Sequence, residues 1–279
     1  FFDIGIAEQH AVTLAAGMAT QGLIPVVPIY SSFYQRAYDQ VIHDIAIQNL
    51  HVILCVDRAG IVGADGETHQ GLLDMAFFRL VPNLVIMAPK DFKELEDMLE
   101  FAVNIKKPVV IRYPRGGEDK EIKFETHNKI ELGKSEILKE FNNDKTEVLE
   151  NQNLEDTENS ENKEKAKNVS VIAIGKMVSR AMKIAEKEEK NGNNVCVVNS
   201  RFLKPFDRTN ILEILKKSDK VITLEDGTII NGLGTTIKEI IAEENLENIK
   251  IENQAYPDEF IQHGSVEQLE DMYLGKIEL

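Results

Sequence analysis

The sequence has no apolar run approaching the roughly eighteen residues that a membrane-spanning helix needs, so no segment of it reads as a span. It is also poor in cysteine. Cys55 and Cys196 each sit in a β-branched apolar run, and they read as core residues of a reducing compartment, not as a disulfide framework. Positive charge is scarce as well: 32 lysines and arginines face 47 acids, a formal charge of −15. The long-range field of such a chain repels nucleic acid and anionic membrane alike, and both drop out as general partners. A small anionic ligand in a cleft lined by local arginines is still allowed. Metal-ligand spacing is missing too, with no HExxH, no paired CxxC and no calcium loop. The chain opens on Phe1-Phe2-Asp3 without methionine, which leads to the expectation that its natural start lies upstream.

What the sequence does have is alternation. Its 279 residues suffice for two ordinary domains, and an apolar fraction of 43% suits a packed fold. Short branched apolar runs at 23–30, 52–56, 84–87 and 108–113 read as buried strands. Helical patterns lie between them at 8–20, 34–48, 72–79 and 91–104. Asp91 is the expected N-cap of the last, with Glu94 completing a capping box. Gly116-Gly117 ends this unit. A strand is expected within 130–138, inside a linker of 118–139. Residues 140–168 hold nine acids, four lysines and seven asparagines, and read as a disordered insertion. From 169 to 279 the rhythm returns: strands at 169–174, 195–198, 220–224 and 248–252, and helices at 177–190, near 207–217 and at 235–244. The fold class is α/β, two consecutive domains with mostly parallel sheets flanked by helices.

In such a fold ligands gather at the carboxyl ends of strands. Four successive ends here are polar: Gly5-Ile6-Ala7-Glu8-Gln9-His10, Tyr30-Ser31-Ser32-Phe33-Tyr34-Gln35-Arg36, Asp57-Arg58-Ala59-Gly60 with a long loop holding Asp65 and His69, and Arg112-Tyr113-Pro114-Arg115-Gly116. Carboxylate, imidazole, guanidinium and aromatic groups in this order suit a polar anionic ligand beside a ring system. Other candidates are weaker. His51 opens an apolar strand and His43 sits mid-helix, so structural roles are expected for both. Asp226, Asn231 and His263 are edge residues for which local hydrogen bonding is the better reading. The glycines of NGLG at 231–234 read as a helix start.

The motifs GIAEQHAVTLAAGMA (5–19), YSSFYQRAYDQVIHD (30–44), DRAGIVGADGETHQG (57–71) and IRYPRG (111–116) together resemble the central domain of the 1-deoxy-D-xylulose-5-phosphate synthases, a family of the transketolase superfamily. The resemblance is dense over 1–117 as the pyrimidine-binding domain. It is looser through Asn199–Pro205, Leu224-Glu225-Asp226 and the tail at 256–264, as the C-terminal domain. It implies condensation of pyruvate with D-glyceraldehyde 3-phosphate, with loss of carbon dioxide, through a thiamine-diphosphate enamine. That reaction opens the non-mevalonate route to isoprenoids and serves thiamine biosynthesis. The resemblance further implies a homodimeric transferase, cytoplasmic in a bacterium or housed in a plastid-type organelle.

By the same resemblance, Glu8 holds the cofactor's aminopyrimidine, with Phe33 and Ile6 beside the ring. His69, Asp65 and His10 stand near the reacting carbons. Tyr30, Arg58 and Arg115 take the substrate phosphate, and Arg36 and Arg112 are further candidates that could equally be structural ion-pair partners. The family's Mg²⁺-binding GDG motif and its later Asn are absent from this sequence, so no metal ligand is assigned in it. The diphosphate-binding N-terminal domain is therefore expected as a partner, supplied separately or cut away, and this chain alone is expected to be inactive. A transketolase, a 2-oxo-acid dehydrogenase beta subunit, and a catalytically inactive interaction subunit or fragment are the alternatives.

Overall fold

Pro28 has no amide hydrogen to give to a ladder, which confines its strand to a sheet edge. The computed structural model, which describes residues 1–125, 127–142 and 166–277, puts it there. The first sheet is built from β1 (Val26–Tyr30), β2 (Ile53–Asp57), β3 (Val85–Met87), β4 (Val109–Arg112) and β8 (Phe202–Lys204). Its order is β1-β2-β4-β3-β8, so β1 is an outer strand. The second sheet takes β5 (Glu136–Lys139), β6 (Asn168–Ala173), β7 (Asn194–Asn199), β9 (Lys220–Thr228) and β10 (Lys250–Tyr256), in the order β10-β9-β6-β7-β5. Pairing is parallel except for β8 against β3 and β5 against β7. Helices Glu8–Thr20, Asp74–Arg79 and Phe92–Asn104 accompany the first sheet. Met177–Lys190, Arg208–Leu215, Leu233–Glu243 and Val266–Leu274 accompany the second. No helix among the described residues is long and apolar enough to cross a membrane.

Several elements depart from expectation. The strand anticipated within 130–138 begins only at Glu136, because Ile130 is drawn into the cluster of Ile53, Met98 and Phe202. The helix expected over 34–48 is irregular: a 3₁₀ stretch Ser31–Ala37, one α turn, then a π stretch Val41–Ala46. Asp91 caps its helix by accepting the Glu94 N–H at 2.7 Å, but the reciprocal half of the capping box does not form. The Glu94 carboxylate takes the Lys90 N–H and turns into a buried ion cluster instead. The last expected strand does not close the series, since the helix Val266–Leu274 follows it with a complete Ser265/Gln268 capping box. Of the expected insertion, 143–165 lies outside the described residues. Its flanks belong to the fold: Phe141 packs on the core and Asn168 opens β6. Both cysteines are buried and free.

The two halves are joined by more than a linker. β8 comes from the second half of the chain and extends the first sheet. One apolar cluster runs from Val12, Tyr34 and Phe78 to Leu203, Ile211 and Ile237. Two buried ionic groups lie along the seam. In one, Lys90 reaches Glu136 at 2.8 Å and Glu94 at 3.2 Å, and Arg201 reaches Glu94 at 2.7 Å and Glu136 at 2.9 Å. In the other, Arg112 Nε meets Asp74 at 2.7 Å while its Nη1 meets Asp226 across the seam. Every charge in these groups has an opposite partner, the condition under which burial is tolerable.

Candidate active site

β1, β2 and β4 are adjacent and parallel, so their carboxyl ends open on one side, with Tyr30 level with Asp57 and Val56 level with Arg112. The 3₁₀ stretch after β1 then decides what faces what. Residues three apart eclipse in a 3₁₀ helix. Tyr30 and Phe33 stack at 5.5 Å with 21° between planes, and the Arg36 guanidinium lies 5.5 Å from the Phe33 centroid.

Glu8 enters from the other side. It is the first residue of its helix, where the unpaired backbone N–H groups favour a carboxylate. It is only 7% exposed, and Arg36 Nη1 is 3.4 Å from both its oxygens. Ile6, two residues earlier, is 89% exposed.

The long loop closes the other flank. His69 sets its ring edge-on to Phe33 at 5.3 Å, and its Nδ1 lies 2.8 Å from Thr68 Oγ1. Arg58 takes a left-handed backbone (φ +56°) just beyond β2, with its N–H donating to Asp57 Oδ1 at 2.7 Å. Its guanidinium sits 4.1 Å from the Tyr30 ring. Asp65 Oδ2 accepts from Arg58 at 2.7 Å and from Arg115 at 3.1 Å.

Glu8, Arg36, Phe33, Tyr30, His69, Arg58, Asp65 and Arg115 thus form one unbroken row of contacts. Chemically it offers a poorly solvated carboxylate, a flat aromatic face, an imidazole, and two guanidiniums sharing one carboxylate oxygen. Glu8 offers a hydrogen-bonding carboxylate and Phe33 an aromatic face, joined by Arg36, and Ile6 adds exposed apolar surface two residues before Glu8. Paired guanidiniums are the groups best suited to an oxyanion.

Two candidates stand apart. His10 is exposed and no described contact joins it to the row, because residues two apart on a helix point in different directions. Arg112 is 2% exposed and saturated by Asp74 and Asp226. Burial alone would push its guanidinium down, but the two carboxylates more than offset that, and it is a fixed cation of the seam. Its alternative reading, a structural ion pair, is the one the fold realises, and the phosphate role does not follow.

The weaker candidates resolve in the same direction. Asp226 is taken by Arg112, and Asn231 joins Arg79 to the Ala76 carbonyl. His51 Nε2 lies 2.7 Å from the Ala102 carbonyl, and His43 pairs with Asp44 at the surface. Gly232 caps the helix Leu233–Glu243. Sequence reading passed over Gln70, which is buried and binds both across its own loop and to the Gln262 carbonyl. It lies inside the DRAGIVGADGETHQG motif, but no periodicity singles it out. Among the described residues no group of three His, Cys, Asp or Glu side chains is placed to hold a metal ion.

Comparison with known proteins bears on this geometry. Residues 1–117 match the family described as transketolase, pyrimidine binding domain, and residues 159–278 match transketolase, C-terminal domain. Over 276 residues the chain is 46% identical to the 1-deoxy-D-xylulose-5-phosphate synthase of Halothermothrix orenii, covering 98% of this chain and 39% of that protein. It is 43% identical over 272 residues to the synthase of Clostridium tetani, covering 98% of this chain and 40% of the relative. The chain therefore spans about two fifths of the length of these curated relatives. Among solved structures, a split-gene transketolase, described as an inactive β4 tetramer, superposes with a TM-score of 0.78 at 28% identity, covering 98% of this chain and 78% of that one. The transketolase of Campylobacter jejuni shares the fold, with a TM-score of 0.68 at 17% identity, covering 99% of this chain and 38% of its own.

Proposed function

We propose a function for this chain from the premise that it belongs to the 1-deoxy-D-xylulose-5-phosphate synthase family of the transketolase superfamily. The chain supplies the pyrimidine side and the phosphate side of a thiamine-diphosphate site. Together with a diphosphate-binding part that carries the Mg²⁺ ligands, it condenses pyruvate with D-glyceraldehyde 3-phosphate and releases carbon dioxide. In this reading 1–117 is the pyrimidine-binding unit, 118–139 leads through a linker into the first strand of the C-terminal domain, 140–168 is an insertion and 169–279 completes that domain. The assembly is a cytoplasmic homodimer.

The observation that carries the reading is the unbroken row from Glu8 to Arg115. When bound, thiamine diphosphate supplies the electron sink that lets pyruvate lose carbon dioxide. Glu8 would hydrogen-bond the pyrimidine edge and orient it, a task that suits a buried carboxylate. Phe33 gives the ring a flat wall at low entropic cost, and Ile6 fills in beside it. Arg58 and Arg115, with Tyr30 beneath Arg58, grip the phosphate of the acceptor. His69 moves a proton at the reacting oxygen, and Asp65 keeps both guanidiniums aimed at one point. His10 stays a candidate only for a substrate group that reaches its exposed face.

The test combines this chain with a diphosphate-binding part of the family, thiamine diphosphate, Mg²⁺ and both substrates, and measures carbon dioxide release. Release should require both substrates, and Glu8→Gln should slow it roughly 10²–10⁴-fold without changing the fold. Turnover of a ketose-phosphate donor in place of pyruvate would instead assign a transketolase. The high coverage of the split-gene transketolase chain supports a site divided between two chains. No turnover with any such donor would leave an inactive interaction subunit.

A further inference from the structure

The loop that presents Asp65 and His69 is closed at its neck, where Gly60 and Gly71 exchange backbone hydrogen bonds at 2.7 Å each, and it meets the first half of the chain again through Asp65 at Arg58 and Arg115 and through His69 at Phe33. Its backbone and remaining side chains rest on the second half. Ile61 and Leu72 are buried in the cluster of Val171, Leu224, Tyr256 and Ile261. The Gly63 carbonyl accepts the Gly264 N–H at 3.4 Å, and a Cβ on Gly63 (φ +76°) would lie 2.9 Å from the Gly264 oxygen. Gly66 packs against His263, and the side chains of Glu67 and Gln262 are hydrogen-bonded.

Gln70 is the joint between loop and tail. It is 8% exposed and sits directly after His69. Its Oε1 accepts the Val62 N–H at 2.8 Å across the loop, and its Nε2 donates to the Gln262 carbonyl at 3.2 Å. One buried amide both closes the loop on itself and ties it to the tail of the other domain.

We propose that Gln70 is a positioning residue through which the tail segment 261–265 fixes Asp65 and His69 over the Tyr30–Phe33 shelf. All the proposed site residues lie in the first domain, yet the second sets how well the acceptor binds. Its effect on the acceptor rests on the function proposed above; the clamp itself does not. A loop released from the tail samples more conformers, and ordering it again weakens acceptor binding and the chemical step together.

The experiment compares Gln70→Ala and Gln70→Met with the unsubstituted protein in the assembled enzyme, by amide hydrogen exchange and by steady-state kinetics. Gln70→Met keeps the volume and removes both hydrogen bonds, so it carries the test if Gln70→Ala does not fold. Amides of 61–70 should exchange about tenfold faster in either variant, with β2 and β4 unchanged. Acceptor KM should rise about tenfold and kcat should fall, while pyruvate KM stays within about twofold. Gln262→Ala removes only an exposed side-chain contact and leaves the carbonyl in place, so its loop should exchange at the normal rate. Unchanged exchange in Gln70→Met overturns the clamp. Faster exchange with unchanged acceptor KM and kcat overturns the positioning role. A Gln262→Ala loop as fast as the Gln70 variants places the clamp at Glu67–Gln262 and overturns Gln70 as its joint. If the unsubstituted enzyme does not turn over these substrates, the proposed function fails, and the exchange result still decides the clamp by itself.

Discussion

Arg112 ends β4 and Arg115 follows it three residues later, and the fold uses them in opposite ways. Arg112 is 2% exposed and meets two carboxylates, Asp74 and Asp226, with its Nη2 also reaching the Asp226 carbonyl at 3.4 Å. Arg115 has a side chain 52% exposed and shares a single carboxylate oxygen with Arg58. Acids outnumber bases around the buried arginine, and its donors are spoken for. At the shelf bases outnumber the acid they share, and the guanidiniums keep donors free for an incoming anion. Sequence separates these two residues poorly, since both belong to IRYPRG. What separates them is cover: Arg112 is buried against Asp226 of the second half, while Arg115, past the end of β4, stays half exposed.

The sharpest way to break this contrast is Arg112→Leu. It leaves Asp74 and Asp226 buried without their cation and should cost about 3–5 kcal/mol of stability in urea denaturation. A loss below about 1 kcal/mol would mean the seam tolerates unpaired acids, and the distinction would collapse.

Glu225 tests the same seam by pH. It lies beside Asp226, 1% exposed, accepting the N–H groups of Leu233 at 2.7 Å and Gly234 at 2.9 Å. Burial pushes its carboxyl up to about 7, although both N–H groups and Arg112 pull the other way. The folded state therefore keeps this proton to higher pH than the unfolded chain does. The stability it contributes is complete below about 4.5, falls as pH rises through about 7, and amounts to roughly 3 kcal/mol at most. The stability difference between the unsubstituted protein and Glu225→Gln should shrink by up to that amount between pH 5 and 8. A flat difference would show that Glu225 is ionised throughout.

Arg115→Ala examines the exposed side. Acceptor KM should rise roughly ten- to hundredfold with the unfolding midpoint unchanged, and Arg115→Lys should restore only part of it, because an ammonium lacks the planar fork. A fall in stability instead would put Arg115 in the same class as Arg112.

Sequence made the strand ends legible because period and composition are local. Glu8 at a helix start, Tyr30 and Phe33 three apart, and the arginines after β2 and β4 were all within its reach. It missed what depends on distant pairing. β8 is three residues long, too short for any alternation to mark it, and exists because β3 offers an edge. Glu94 fits a capping box locally, but a buried Arg201 more than a hundred residues away draws its carboxylate off. The grip of the tail on the Asp65–His69 loop spans 192 residues at Gln70–Gln262. By contrast the helix Val266–Leu274 carries a local signal, the Ser265/Gln268 capping box.

The smallest expected effect limits the comparison from the other end. Arg208 bonds Glu243 at 2.7 Å and Glu244 at 2.6 Å, distances as short as those around Arg112, and it too faces two acids. Its side chain is 43% exposed, so water already solvates both charges and holding the pair fixed costs side-chain entropy. Arg208→Ala should leave the unfolding midpoint within experimental error, and added salt should not separate the two proteins. If its loss matched that of Arg112→Leu, geometry alone would govern the worth of these pairs. If it is silent, burial decides, and the same fork of donors that serves as a rivet at Arg112 is ordinary surface at Arg208.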